Sequence, residues 1–165
     1  MNFSRSFRNK IFSREILVCL AVIVLTFTLD RLSKVNIIKQ QLSNERMFIN
    51  DYINFDLVWN TGIGFGLLSQ NANIYYHTIS FLIFLVIIFL VHLIIKANFI
   101  DKFLLSLILG GALGNFYDRL FYFAVPDFID FHIGDFHWFT FNIADIFITL
   151  GIIFLISKDL ILDKK

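Results

Sequence analysis

Four long apolar runs set the terms for this chain. They cover residues 16–29, 74–95, 103–120 and 139–156, and each extends a few residues into its flanks. A bilayer core takes about 20 mostly apolar residues per helix. Backbone polar groups facing lipid must be satisfied internally, so helices are the natural spanning element for runs of this kind. At 58% hydrophobic and 18% aromatic over 165 residues, the chain carries more apolar surface than a soluble domain of its size could bury. The expected fold is an all-α integral membrane protein with four transmembrane helices at about 14–33, 74–95, 103–122 and 139–160. One membrane domain, 1–165, would have external connections at about 36–73 and 123–138.

Charge placement gives an orientation. Arg5, Arg8, Lys10, Arg14, Lys96, Lys102, Lys158, Lys164 and Lys165 fall on one side, and Arg31, Lys34, Lys39, Arg46 and Arg119 on the other. This majority places both termini in the cytoplasm. The N-terminal run ends in Thr28, Leu29, Asp30 and Arg31 without a small-x-small cleavage pattern, so it reads as a retained first helix. A net charge of +1 argues against nucleic acid as a partner. The single cysteine, Cys19, rules out a disulfide framework and reads as a small lipid- or helix-facing residue.

Against this apolar background, polar residues collect at one face. Helix one reaches the outer side near Asp30. Helix three ends in GNFYDRL, where Asn115, Asp118 and Arg119 stand at i, i+3 and i+4 and share a stripe. Helix four opens with FNIADIF, placing Asn142 and Asp145 at the same level. The short segment between these helices carries Asp127, Asp130 and Asp135 among aromatic residues suited to an interface. In the first loop, INFDLVW alternates as a strand does, and Gly62, Gly64 and Gly66 follow, so a small outer sheet is expected. Ionisable groups at membrane depth point to a functional site.

Two facing carboxylates in a semi-dry site share one proton; the ionised member activates water and the protonated one polarises a carbonyl. Spacing alone does not separate Asp118 from Asp127 as the partner of Asp145. No HExxH or GxSxG motif occurs, and His77, His92, His132 and His137 have no metal-ligand spacing. Asp130 and Asp135 read as solvated; the spacing of Asp30 and Lys34 also fits a plain i,i+4 surface pair, the reading preferred for Lys34. A proton-coupled carrier using the same carboxylates is the main alternative, followed by a scaffold with polar helix contacts.

DRLSK (30–34), WNTGIGFG (59–66), GGALGNFYDRL (110–120), VPDFIDFH (125–132) and FNIADIFITLG (141–151) occur in the order found in lipoprotein signal peptidase, also called signal peptidase II. The chain resembles that family from residue 30 to 151. The resemblance implies an aspartic endopeptidase of the bacterial inner membrane with catalytic Asp127 and Asp145. Asn60, Gly62, Asn115, Asp118, Arg119 and Asn142 would support the dyad or hold substrate, and Asp30 and Lys34 would be structural. It further implies removal of the signal peptide from diacylglyceryl-modified prolipoproteins on the N-terminal side of the lipidated cysteine. Four helices with a small outer β-cradle and inhibition by globomycin complete what the resemblance implies; no metal or cofactor is implied, and nothing in the sequence demands more than a monomer. Pro126 and Phe139 depart from the family pattern, in which Val and Pro respectively are common.

Overall fold

The structure, a computed structural model, describes residues 14–40, 47–62 and 74–162. Among the described residues are four helices and a four-stranded sheet, in the chain order helix, two strands, two helices, two strands, helix. Helix α1 is Arg14–Gln40, α2 Ile74–Lys96, α3 Phe99–Tyr122 and α4 Ile143–Leu162. Strands β1 (Met47–Asn50) and β2 (Ile53–Asn60) follow α1, while β3 (Val125–Ile133) and β4 (Phe136–Phe141) join α3 to α4. The sheet order is β1-β2-β3-β4, with every neighbouring pair antiparallel.

Among the described residues, three helices are long and apolar enough to cross a membrane: Arg14–Gln40, Tyr76–Lys96 and Phe99–Tyr122. The last, α4, is equally apolar through Ile152–Ile156 but carries Asp145, Lys158 and Asp159. Large apolar residues cover the helices' outer faces, among them Val24 on α1, Phe81 and Phe89 on α2, and Phe154 on α4. Such surfaces belong against lipid tails rather than water.

Inside, Ile87 and Leu90 of α2 meet Leu105, Ile108 and Leu109 of α3, with Ile23 of α1 and Ile148 and Leu155 of α4 packed around them. Close approach depends on the glycines of α3. A Cβ at Gly111 would sit 2.6 Å from the Ala144 carbonyl oxygen, and one at Gly114 would sit 2.5 Å from Asp30 Oδ2. Small residues let membrane helices pack backbone to backbone; here they also admit a carboxylate. A second core of Ile37, Phe128 and Ile129, flanked by Phe55, Leu57, Phe141 and Ile146, seats the sheet on the bundle.

Several boundaries differ from the sequence reading. Helix α3 begins at Phe99 rather than near 103, because Asn98 caps it and its side-chain oxygen accepts from Asp101 N at 3.1 Å. Helix α4 begins at Ile143, not 139: Phe139 lies in β4, paired with Phe131 and packed against Phe131 and Phe141. An aromatic run satisfies strand and helix alike, and the β3 partner decides. The segment expected to be merely interfacial is therefore half of the sheet, and the protein is not all-α. INFDLVW forms β2 as expected. Of the three glycines after it, Gly62 is described, and Gly64 and Gly66 lie outside the described residues. Pro126 sits on a strand with neighbours on both sides, yet it pairs only with Trp59 of β2, since β3–β4 pairing starts at Ile129. Its missing N–H therefore breaks no ladder on the β4 side.

Candidate active site

The polar residues meet where the sheet joins the C-terminal ends of α1 and α3 and the N-terminal end of α4. Asn142 organises the α4 end. Its side-chain oxygen accepts from Asp145 N at 3.1 Å, while Asp145 Oδ2 accepts from Asn142 N at 3.2 Å. This reciprocal arrangement is a capping box with Asn and Asp in place of the usual Ser/Thr and Glu/Gln. The remaining amide group of Asn142 donates to Asp127 Oδ1 at 2.5 Å. One side chain thus starts the helix, fixes Asp145 and holds Asp127.

Each carboxylate oxygen of the two aspartates has a donor. Asp127 Oδ2 accepts from Asn60 Nδ2 at 2.9 Å, and Asp145 Oδ1 accepts from Asn115 Nδ2 at 2.8 Å. Asn60 also accepts from Gly62 N at 2.8 Å, coupling the end of β2 to Asp127. Asp127, on β3, is only 2% exposed. Burial, and next the nearby Asp145 carboxylate, push its pKa up to about 7 against the pull of Asn60 and Asn142. Both aspartates line a cavity of about 460 Å³ whose polar end also has Asn60, Asn115 and Arg119. Its far wall is apolar, with Ile83, Val86, Leu90, Ile108 and Ile152 among its residues.

Behind the pair lies a charged cluster. Lys34 Nζ donates to Asp30 Oδ2 at 2.7 Å, Asp118 Oδ2 at 2.7 Å and Asn115 Oδ1 at 2.8 Å. Arg31 donates to the other Asp118 oxygen and stacks over Tyr117. Asp30 Oδ1 accepts from Ala144 N at 3.0 Å, so α1 helps cap α4. Two cations and two carboxylates make the cluster neutral. Arg119 stands apart: it donates to the Gly62 carbonyl, lies over the Tyr76 ring, and has a buried Nη1 without a partner among the described residues.

The structure therefore gathers Asp30, Lys34, Asn60, Gly62, Asn115, Asp118, Arg119, Asp127, Asn142 and Asp145 into one region. Asp118 bonds to Lys34 and Arg31 and is not among the residues lining the cavity that holds Asp127 and Asp145. Two readings are corrected. Asp30 and Lys34 are no surface pair, both being fully buried, and Asp130 is buried rather than solvated. Arg31 and Tyr76 were not singled out from sequence. Arg31 lay within the DRLSK motif; Tyr76, whose hydroxyl donates to the Arg119 carbonyl at 2.7 Å, gave no sequence signal.

Residues 22–161 match the family described as Signal peptidase (SPase) II. The chain belongs to the signal peptidase II family. A lipoprotein signal peptidase of Pelagibacter ubique (strain HTCC1062) is 43% identical over 159 residues, covering 95% of this chain and 96% of that relative. One from Anaplasma phagocytophilum (strain HZ) is 39% identical over 150 residues, 89% and 94% of the two chains. A bacterial membrane enzyme solved by the in meso method at 2.3 Å resolution superposes with a TM-score of 0.74 at 30% identity, over 88% of this chain and 90% of that one. Signal peptidase II membership agrees with the apolar helices and the site's position at one end of them.

Proposed function

We propose that this signal peptidase II family member is an aspartic endopeptidase. It would remove signal peptides from diacylglyceryl-modified prolipoproteins by cutting on the N-terminal side of the lipidated cysteine. The observation that carries this reading is the pair of carboxylates, Asp127 and Asp145, joined through Asn142 and placed at the polar end of an apolar-walled cavity.

The pair shares one proton, as the raised Asp127 pKa favours. The ionised carboxylate takes a proton from water as its oxygen attacks the peptide carbonyl carbon, and the protonated carboxyl donates to the carbonyl oxygen. Collapse of the tetrahedral species breaks the C–N bond and delivers a proton to the leaving amine. Asn60, Asn115 and Asn142 hold the two carboxylates at fixed positions before substrate arrives. Arg119 Nη1 offers a donor to a substrate backbone carbonyl. The apolar cavity wall accepts the greasy parts of the substrate, and a lipid-anchored cysteine brings its peptide bond to this depth.

All four helices would span the inner membrane as a monomer, with both termini cytoplasmic and the site near the periplasmic face. The exposed Phe48, Trp59, Phe136 and Trp138 of the sheet suit headgroup contact. No cofactor enters the scheme. The test is cleavage of a diacylglyceryl-modified prolipoprotein by the purified protein in detergent. Wild type is expected to cut, while Asp127→Asn and Asp145→Asn should each lose activity by roughly 10²–10⁴-fold or more. Full activity in Asp127→Asn would remove it from the dyad, and a folded wild type that leaves the substrate intact would overturn the peptidase reading.

A further inference from the structure

On the far part of the β3–β4 hairpin, three potential ligands converge that the proposed peptidase chemistry does not use. Asp130 and His132 are two residues apart on β3, and His137 of β4 pairs directly with His132. One ligand atom from each lies within 4.8 Å of the others. Asp130 Oδ2 is 2.6 Å from His137 Nδ1 and 3.9 Å from His132 Nδ1. We propose that Asp130, His132 and His137 form a site for a divalent transition-metal ion of the zinc type.

The distances suit such an ion. Nitrogen and oxygen ligands sit about 2.0–2.2 Å from zinc, so two ligands in tetrahedral array are roughly 3.3–3.5 Å apart. The observed separations straddle that value, and side-chain rotation alone closes the difference. Two imidazoles and one carboxylate are a borderline donor set, favouring zinc or copper over calcium or magnesium, which prefer all-oxygen shells. The side chains of Asp130 and His132 are 5% and 8% exposed, whereas His137 is 39% exposed, leaving an approach from solvent.

A plain Asp–His hydrogen bond explains Asp130 and His137 but not the third member. Asn54, opposite Asp130 on β2, places Nδ2 3.4 Å from both ring nitrogens of His132. Its Oδ1 is buried without a partner among the described residues. Once His132 binds a metal through one nitrogen, the other carries a hydrogen. Turning the Asn54 amide over then gives Oδ1 a donor, the outer contact that metal-bound imidazoles normally make. A bound ion would clip β4 to β3, three residues beyond Asp127, and would add stability to the sheet.

The experiment uses tag-free, chelator-treated protein in detergent. Zinc is titrated calorimetrically, and cobalt serves as an optical probe of nitrogen ligation. We expect one equivalent of zinc, a metal-dependent rise in Tm, and visible cobalt absorption. Affinity should fall at least about 10-fold in His137→Ala, which is exposed enough to fold normally, and further in the His132→Gln/His137→Ala double variant. Absence of saturable binding to wild type, or double-variant binding equal to wild type, would overturn the site. Neither result bears on peptidase activity.

Discussion

Lys34 has three ammonium hydrogens and three acceptors, on Asp30, Asn115 and Asp118, with no exposed surface. Removing such a partner leaves buried charge uncompensated. Lys34→Met should therefore lower stability by about 3–5 kcal/mol, read as a large drop in Tm in detergent. Arg31→Met should cost less, because Asp118 keeps its bond to Lys34 and is not left as an unpaired buried charge. Asp127 has the opposite character, since its raised pKa means that the folded state binds its proton more tightly than the unfolded chain does. Stability from this group is thus greatest at low pH and declines as pH rises from about 4 to about 7. In Asp127→Asn that decline disappears, so the Tm difference should move in the variant's favour across this interval. Scanning Tm against pH for both proteins checks it; parallel curves would contradict the assignment. Peptidase activity of wild type should likewise fall above about pH 7, as the pair loses its shared proton.

The elements explain which of these residues could be read in advance. Asn142 and Asp145 were legible as polar residues three apart beside an apolar run. They were not legible as a helix cap, since the aromatic run before them let the helix be drawn from 139, and only the structure shows the capping box. Asn142→Ala should cost about 0.5–2 kcal/mol as a lost cap. Its effect on cleavage should be far larger, because Asp127 and Asp145 lose their common support; comparing Tm with kcat separates the two. Lys34 was misjudged because the residues that bury it lie on α3, and its spacing to Asp30 on α1 matches that of any surface pair. Asp130 was misjudged because alternation in FIDFHI allows either face to be buried, and only the pairing with β2 and β4 decides. The glycines of GGALGN belong to α3 packing. Gly114→Ala would press a methyl group onto Asp30, with overpacking worth about 1–3 kcal/mol and reduced activity, measurable by thermal unfolding beside a cleavage assay.

For the whole molecule, the sheet and the charged helix ends define two opposite poles. At the pole away from the dyad, Lys102 meets Glu15 at 3.0 Å and Lys158 contacts Asp101, while the sheet crowns the other. With Cys19 replaced by Ser, Asp135→Cys and Lys96→Cys should label from opposite sides of intact membranes with an impermeant maleimide, Asp135→Cys from the periplasm. Labelling of both from one side would refute the orientation. The bond from Ala144 to Asp30 joins residues 114 apart in sequence, and Lys34 waits for partners 81 and 84 residues later. Until α3 is made, Lys34 has Asp30 as its only carboxylate partner in this cluster, and Arg31 lacks the Asp118 carboxylate. The arrival of α3 brings Asp118, the second carboxylate of the cluster, and α4 supplies the last donor to Asp30. A nascent chain halted before residue 144 would lack both Asp145 and the amide that completes Asp30, so proteolytic competence would arise in a single step, after the final helix has docked.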